Sequence, residues 1–284
     1  MSDNMNILTF DIEDWYNCDF ITTDFNWDKY EVRIYEGVER ILQELATRDL
    51  KATFFCLGWI AEKHPDVIRW IHAQGHHIGC HSYQHELAFR FDRDGFKQDT
   101  EKSKKLIEDL IGKQVNAFRA PGFSITERNV WALEVLTELG FEFDCSIIPA
   151  KHDYGGFSSF GMPEPATLNL ANGNQLKEFP INIQNILGKN LVFSGGGFFR
   201  FFPYWLIKHW TSKSSYMMTY FHTRDFDPDQ PMIDSLPMMR KFKSYVGLST
   251  SFRKFQKLLN DFNFVSVKEA NELVDWETAR VVKL

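Results

Sequence analysis

The sequence predicts an α/β fold, in which a parallel β-sheet, open or closed into a barrel, carries helices on its outside. Short apolar runs typical of buried strands alternate with longer segments of helical periodicity over residues 7–147. This alternation is characteristic of β–α units, whose successive strands run parallel. A length of 284 residues lies within the range of one large domain, and we predict a single domain over residues 1–284.

Strands are predicted where short runs rich in aromatic and other apolar residues lie between polar segments. These runs are 7–10, 51–57, 76–80, 116–120 and 141–147. Helices are predicted where apolar residues recur every three or four positions. The helical segments are 36–50, 61–75, 95–112 and 124–140. The last segment has Ser124 and Glu127 at the spacing of a capping box and ends in Gly140.

The second half of the chain departs from this alternation. From about 150 to 215 the sequence is poor in helical periodicity and rich in glycine, proline and aromatic residues. We interpret this stretch as an irregular insertion of strands and long loops over one face of the sheet. Residues 251–276 restore a helix, a strand and a second helix.

Composition and charge exclude several classes of function. The formal net charge of −6 and the sequence pI near 5.9 argue against a nucleic-acid-binding protein. No block of like charge indicates a basic arm or a membrane-surface helix. No apolar run approaches the roughly 20 residues that span a bilayer. We therefore expect neither a nucleic-acid partner nor stable membrane insertion.

The opening residues and the cysteines predict a cytoplasmic protein. Residues 1–10 lack the basic and apolar regions of a secretory signal. The four cysteines, Cys18, Cys56, Cys80 and Cys145, show no C-x-x-C spacing and are typical of reduced, mostly buried thiols. The sequence is also compatible with a homo-oligomer.

Three carboxylates, those of Asp11, Glu13 and Asp14, follow the first predicted strand. Like charges this close raise one another's pKa and cost free energy unless a cation or a catalytic role accounts for them. Taken alone, the stretch is more typical of an acidic turn in water. However, ligands of parallel α/β folds bind at the carboxyl ends of the strands, which makes these residues site candidates.

His81 and His85 lie in the stretch H-S-Y-Q-H, directly after the third predicted strand. On a helical turn this spacing puts both imidazoles on one side, a geometry suited to one metal ion. Catalytic zinc commonly takes three protein ligands, which two histidines and a carboxylate from the first strand would supply. The alternative is a pair of surface histidines in a polar loop, since the chain has nine histidines.

Three further strand ends carry polar groups. Arg119 precedes Pro121 in a tight turn, and a strand-end arginine can hold a carboxylate bidentately, although a surface arginine is the simpler interpretation. Asp144 ends the fifth predicted strand. His222 follows an aromatic run, and Asp225 could orient it and raise its pKa, as a general acid requires. A lone histidine in such a strand is more often structural.

Taken in order, these motifs resemble the polysaccharide deacetylase family, the NodB-like carbohydrate esterases. The family's T-F-D-D-G corresponds to residues 9–14, its H-[ST]-x-x-H to 81–85, its R-x-P-G to 119–122, and its catalytic-histidine motif to 220–222. The similarity is greater to a branch associated with bacterial exopolysaccharide gene clusters. Further motifs of that branch match F-D-C-S-I-I-P at 143–149, the His152-Asp153 pair, G-G-G-F-F-R at 195–200 and F-H-T-R-D-F-D-P-D-Q-P at 221–231.

The resemblance implies a distorted (β/α) barrel of about seven strands, with the insertion at about 150–215 over its mouth, and metal-dependent removal of an N-acetyl group from an amino sugar. By family roles, Asp11 is the general base, Arg119 tunes it, and His222, which Asp225 could orient, is the general acid. His81 and His85 bind a divalent metal, for which Zn²⁺ is the favoured ion. The candidate substrate-binding residues are Pro121, Asp144, Tyr154 and Arg200, with a backbone N–H near Tyr154 as an oxyanion donor.

The first motif departs from the family pattern, because Ile12 separates the base from the acidic residues that follow. Glu13 shares a face with Asp11 if the strand persists, whereas Asp14 has the shorter side chain usual for this metal ligand. Both are candidates, and Asp14 is slightly favoured. The expected partner is a short, nucleotide-linked or lipid-linked acetylated amino sugar. A hydrolase of non-sugar C–N (amide) bonds and a catalytically dead carbohydrate-binding protein are the alternatives.

Overall fold

The structure is a computed structural model that describes residues 4–17, 25–152, 154, 156–186, 188–234 and 236–284. Cys18 and Asp153, both named in the sequence analysis, lie outside these residues.

The described residues form a mostly parallel sheet surrounded by helices. The strands are β1 Met5–Ile7, β2 Thr9–Ile12, β3 Thr53–Cys56, β4 His77–Cys80, β5 Ala117–Phe118, β6 Phe143–Asp144, β7 Ala166–Asn169, β8 Gln175–Glu178, β9 Gln184–Ile186, β10 Lys189–Leu191, β11 Tyr216–Met218, β12 Phe221–His222 and β13 Arg280–Lys283. The helices are α1 Ile34–Ala46, α2 Gly58–Lys63, α3 Pro65–Ala73, α4 Arg93–Ile111, α5 Trp131–Glu138, α6 Gly196–Phe201, α7 Tyr204–Lys213, α8 Met238–Tyr245, α9 Leu248–Asp261 and α10 Val267–Leu273. The predicted α/β architecture is confirmed.

In the described part of the chain, the main sheet has nine strands in the order β12-β2-β3-β4-β5-β6-β8-β7-β13, and among these only β7 and β8 pair antiparallel. β1 and β11 form a separate parallel pair. β1 comes directly before β2 in the chain and β11 directly before β12, which are also paired in parallel. The sheet curls round because the chain after β8 meets β11. There Tyr216 donates from its hydroxyl to the Pro180 carbonyl, and the Met218 N–H donates to Asn182. A distorted barrel results.

Alternating residues of the central strands divide the core into two layers. Phe10, Phe54 and Phe118 belong to a buried cluster that includes the inward faces of α1, α3 and α4. Phe55 and Ala117, their strand neighbours, belong to a second buried cluster inside the barrel. Since side chains alternate along a strand, Asp11 follows Phe10 towards the interior and Arg119 follows Phe118. The site residues therefore lie above the inner core.

Two predicted helices differ from those observed. The segment 61–75 is divided at His64, because Pro65 cannot donate to the preceding turn and instead begins α3. The segment 124–140 becomes helical only at Trp131. The Ser124 hydroxyl accepts from the Ala88 N–H and donates to the Pro121 carbonyl, so the residue predicted as a cap holds a loop.

The stretch 150–215 contains helices that the sequence analysis did not predict. α6 and α7 flank Phe202 and Pro203, and their buried faces include Phe199, Ile207 and Trp210. Frequent glycine and proline at the helix ends hid this helical spacing. Within the same stretch, β7 and β8 extend the main sheet, and β13 pairs with β7. This continuity supports the prediction of one domain over 1–284, which stays a prediction.

Candidate active site

A buried ion pair connects Asp11 of β2 with Arg119, the residue after β5, although β3 and β4 lie between these strands in the sheet. One guanidinium nitrogen of Arg119 lies 2.7 Å from Asp11 Oδ1, and Arg119 has no exposed surface. Arg119 also donates from Nε to the Cys145 carbonyl and stacks 4.3 Å from the ring centre of Phe55. These contacts fix the position of the Arg119 guanidinium group. The guanidinium group in turn orients the Asp11 carboxylate.

Glu13, His81 and His85 form a compact group of three potential metal ligands, with ligand atoms within 4.8 Å of one another. His85 Nε2 lies 2.6 Å from Glu13 Oε2. Burial opposes ionisation of Glu13, but the charges of His85 and His222 outweigh it and lower its pKa to about 2. Burial lowers the pKa of His81 to about 4, which favours the neutral imidazole that a metal requires.

A backbone carbonyl determines which ring nitrogen of His81 is available to a metal. His81 Nδ1 lies 2.7 Å from the Arg119 carbonyl oxygen, which can only accept, so Nδ1 carries the proton. His81 Nε2 is then the lone-pair nitrogen, as in metal-bound histidines whose other nitrogen donates to a carbonyl. Two imidazoles and one ionised carboxylate are a donor set suited to zinc and similar divalent ions. The residues present therefore fit a divalent metal.

The H-S-Y-Q-H stretch reaches this geometry without a helical turn, contrary to the prediction. Ser82 and His85 both adopt the left-handed region, with φ of 64° and 58°. The Ser82 carbonyl accepts from the Gly58 N–H and from the Ser103 hydroxyl, while the Ser82 hydroxyl accepts from the His85 N–H. These bonds hold two strained residues in a loop that brings both imidazoles together, with ring centres 5.3 Å apart.

Asp14 lies outside the ligand group, which corrects the preference for it in the sequence analysis. Its Oδ2 accepts from the backbone N–H groups of Arg33 and Ile34, at the start of α1, and its Oδ1 accepts from the Trp15 N–H. Burial raises the pKa of Asp14 to about 6, although these bonds counteract it. Asp14 thus stabilises the amino end of α1, and Glu13 is the carboxylate that meets the histidines.

His222 lies opposite Asp11 in the β12–β2 register. Its Nε2 is 3.9 Å from Asp11 Oδ2 and 3.8 Å from Glu13 Oε1. Its Nδ1 is 3.0 Å from Asp225 Oδ2. Although burial opposes protonation, Asp225, Glu13 and Asp11 together raise the pKa of His222 to about 9. The imidazolium form is therefore favoured at neutral pH.

Arg200 supports this histidine from behind. Its Nε lies 2.9 Å from Asp225 Oδ1, and its other nitrogens donate to the carbonyls of Lys243, Ser244 and Val246 at the end of α8. Burial raises the pKa of Asp225, but the charges of Arg200 and His222 outweigh it and lower that pKa. Arg200 lines the pocket, yet it is only 4% exposed and its contacts are structural.

One pocket of about 410 Å³ contains these groups. Asp11, Glu13, His81, His85 and His222 lie at its polar end. Its wall is largely apolar and includes Leu87, Phe123, Tyr154, Phe198, Phe201, Tyr220, Met239, Phe242 and Val246. The sequence analysis missed the contribution of α8, since residues 238–245 carry no recognisable motif. The one sequence feature that could have drawn attention to this helix is its run of large apolar residues, Met-Met-x-x-Phe, beside basic residues.

Two of the predicted substrate-binding residues do not line the pocket. Pro121 is buried behind Gly122, whose φ of +59° and missing side chain leave space for the Tyr154 ring. Tyr154 does line the pocket, and its role in substrate binding stays a prediction, while residues 153 and 155 lie outside the described residues.

Asp144 is fully buried, so its predicted contact with substrate is wrong. It accepts from the Ser146 hydroxyl and lies opposite Glu178 in the β6–β8 register. Burial raises the pKa of Asp144, and burial with the nearby Asp144 raises that of Glu178 well above its usual range. The pair shapes residues 145–147, which include the carbonyl that holds Arg119.

Every helix in the described part of the chain is too short or too polar to cross a membrane.

Comparison with known proteins is consistent with this site. The family model described as polysaccharide deacetylase matches residues 2–143, half of the chain. A model described as a domain of unknown function (DUF3473) matches residues 145–272. Among curated proteins, a peptidoglycan-N-acetylglucosamine deacetylase of Bacillus cereus is 34% identical over 100 residues, which are 35% of this chain and 36% of that protein. A peptidoglycan deacetylase of Helicobacter pylori is 30% identical over 112 residues, 39% of this chain and 37% of that protein.

Each of these matches spans little more than a third of the relative's length. A solved structure from Mycobacterium smegmatis, provisionally described as a polysaccharide deacetylase, aligns with 100% of this chain and 94% of its own, with a TM-score of 0.67 and 17% identity. At that identity the likeness shows the fold alone, and it confirms the predicted NodB-like barrel. The matched half of the sequence carries Asp11, His81, His85 and Arg119, and the chain belongs to the polysaccharide deacetylase family.

Proposed function

We propose that this protein is a metal-dependent de-N-acetylase, which hydrolyses the N-acetyl group of an amino sugar in a bacterial exopolysaccharide or cell-surface glycan. The observation that carries the proposal is the content of one pocket. It holds a three-ligand group suited to a divalent ion together with an Asp11–Arg119 pair and a His222–Asp225 pair. Metal-assisted amide hydrolysis uses these three elements together: a Lewis-acidic ion, a general base and a general acid.

Glu13, His81 and His85 would hold the ion, with Zn²⁺ as the favoured metal. A divalent cation bound there supplies Lewis acidity to the acetyl carbonyl and to the attacking water. Glu13 is proposed as the carboxylate ligand because Asp14 is engaged by the backbone of α1.

Asp11 is the proposed general base. Arg119 engages its Oδ1, while its Oδ2 faces the pocket within 3.9 Å of His222 Nε2. A water between this oxygen and the ligand group could transfer its proton to Asp11 as it attacks the carbonyl carbon. The fixed Arg119 fork keeps the acceptor oxygen in place during this transfer.

His222 is the proposed general acid. Its pKa of about 9 leaves Nε2 protonated at neutral pH, and Asp225 holds the ring through Nδ1. Once the tetrahedral carbon has formed, proton transfer from Nε2 to the amide nitrogen allows the amine to leave.

The substrate class is supported by the family and by the pocket wall. The two relatives described above are named as peptidoglycan deacetylases, and Tyr154, Phe198 and Phe201 provide ring faces on which a sugar could stack. We propose a short, nucleotide-linked or lipid-linked acetylated amino sugar. The cytoplasmic location stays a prediction, with which the buried free thiols of Cys56, Cys80 and Cys145 are compatible.

Acetate release from a panel of substrates tests this function. The panel contains short N-acetylated glycans, N-acetylated nucleotide sugars, long chitin or peptidoglycan fragments, and linear and cyclic non-sugar amides. We expect release from the short amino sugars, and Asp11→Asn should abolish it. Hydrolysis of the non-sugar amides alone, or no hydrolysis by a metal-containing protein, would contradict the proposal.

A further inference from the structure

The mouth of the pocket carries a group of exposed apolar side chains, which we call the apolar rim. It comprises Phe201, Met232, Met238, Met239 and Phe242, which are 53%, 60%, 88%, 67% and 50% exposed. The rings of Phe201 and Phe242 are in edge contact, with centres 5.9 Å apart. A contiguous exposed patch of large apolar residues is uncommon on a soluble surface and marks an interaction site.

Met232 is held beside α8 by the Tyr245 hydroxyl. This hydroxyl accepts from the Ile233 N–H and donates to the Pro231 carbonyl, on either side of Met232. The rim is also fixed to the catalytic groups, because the Arg200 that pairs with Asp225 binds the last carbonyls of α8. The rim is therefore continuous with the pocket wall.

Positive charge accompanies the apolar rim. The sequence of α8, M-M-R-K-F-K-S-Y, contains Arg240, Lys241 and Lys243 and no acidic residue. The chain as a whole has a formal net charge of −6, so this concentration of cations is local. Lys241 pairs with Asp234, which lies 2.7 Å away and is 93% exposed in its side chain.

We infer that the apolar rim and the three cations of α8 dock the protein reversibly on an anionic membrane surface, with the pocket mouth towards the lipid head groups. Methionine and phenylalanine side chains would enter the boundary between head groups and acyl chains, while lysine and arginine bind anionic lipid. Docking of this kind inserts no helix through the bilayer. It would bring the pocket to glycans carried at a membrane, but it does not depend on the deacetylase activity.

Other occupants of the surface fit less well. A sugar chain does not account for Met232 and Met238, which are exposed outside the pocket lining. A second copy of the chain across a two-fold axis would place the cations of two α8 helices against each other. A helix-grasping protein partner needs a longer, detachable helix, whereas α8 has eight residues and Arg200 binds its end.

Vesicle flotation tests the inference. The wild-type protein is mixed with vesicles of phosphatidylcholine and phosphatidylglycerol at about 3:1, or of phosphatidylcholine alone. A triple variant, Met232→Ser with Met238→Ser and Lys241→Glu, changes the docking surface and none of the pocket-lining residues. The matched control is Met162→Ser with Leu273→Ser and Lys113→Glu, which changes exposed residues outside α8 and the rim.

We expect the wild-type protein and the control to float with the anionic vesicles, and the triple variant to bind at least about 10-fold more weakly. Binding of the wild-type protein should weaken in about 1 M salt. Metal content and melting temperature of both triple variants report whether each is folded. Absence of wild-type binding, or equal binding by the rim variant, would overturn the inference. The inference would also be overturned if the wild-type protein were a dimer that bound no vesicles and the rim variant were a monomer.

Discussion

At the scale of single residues, the site depends on which of two neighbouring carboxylates faces the histidines. Glu13→Gln should reduce bound metal by at least about 10-fold, because it removes one of three ligands. Asp14→Asn should retain the metal but lower the free energy of unfolding by about 1–2 kcal/mol, because it weakens the α1 cap. Elemental analysis and chemical denaturation measure the two effects. The opposite result, with metal lost only from Asp14→Asn, would return the ligand role to Asp14.

The sequence could not decide between these two residues. Strand alternation favoured Glu13 on the face of Asp11, whereas side-chain length favoured Asp14. The deciding contact is with backbone groups at Arg33 and Ile34, about 20 positions further along the chain. Nothing local to the acidic stretch reveals it. Asp11, Arg119 and His222, by contrast, each follow a recognisable apolar run, and the structure brings them together. Their roles were expected only from the family resemblance and stay predictions.

The pH dependence of turnover should depend on Asp225. A general acid must be protonated, so the rate falls as pH rises through the pKa of His222, which is raised to about 9. Asp225→Asn removes the largest favourable charge on the imidazolium, so the His222 pKa falls and the alkaline limb moves to lower pH. We expect turnover at pH 8 to fall by about 10-fold or more.

The matched control for this experiment is Asp229→Asn, an exposed aspartate four positions further on. Its profile should equal that of the wild-type protein. If the alkaline limb of Asp225→Asn also stayed in place, His222 would not be the acid.

At the scale of elements, strand positions were more predictable than helix ends. The short runs at 51–57, 76–80 and 141–147 contain β3, β4 and β6, because such runs between polar segments are typical of buried strands. The predicted start of α5 was wrong, because the Ser124 hydroxyl does not cap the helix. It accepts from the Ala88 N–H of another loop and donates to the Pro121 carbonyl. Local sequence signals are insufficient wherever a distant loop supplies the hydrogen-bond partner.

The turn after β5 offers a test of how a glycine shapes the pocket. Gly122→Ala should lower the free energy of unfolding by about 1 kcal/mol from its positive φ, and its new Cβ would lie 2.8 Å from Tyr154. We therefore expect a raised KM as well. Gly112→Ala has the same backbone cost, with φ of +65° and nothing within 4 Å of the new Cβ. A KM change of equal size in both variants would show that the Tyr154 contact is unimportant.

At the scale of the whole molecule, the residues that form the core of the barrel are different from those that form the site. Apolar side chains fill the inside of the barrel, while the ionisable groups of the site gather at the strand ends above them. This arrangement follows from alternation along the strands and was predictable in outline. The closure of the barrel was not, since it depends on pairs such as Met218 with Asn182 that are 36 residues apart.

A bound metal should stabilise the entire fold, since it joins the chain after β2 to the loop after β4. Because an ion that binds only the folded state adds stability, excess Zn²⁺ should raise the melting temperature of chelated wild-type protein by several degrees. His81→Ala should show almost no rise. Differential scanning calorimetry measures this, and an equal rise in both proteins would indicate metal binding elsewhere.

The central claim is that catalysis requires one metal ion in the Glu13–His81–His85 group. The most direct measurement is acetate release from a short N-acetylated glycan by chelated protein, titrated with Zn²⁺. The account predicts almost no activity before the addition, a linear rise, and a plateau at about one equivalent. Full activity of the chelated protein, or a rise without a plateau near one equivalent, would contradict it.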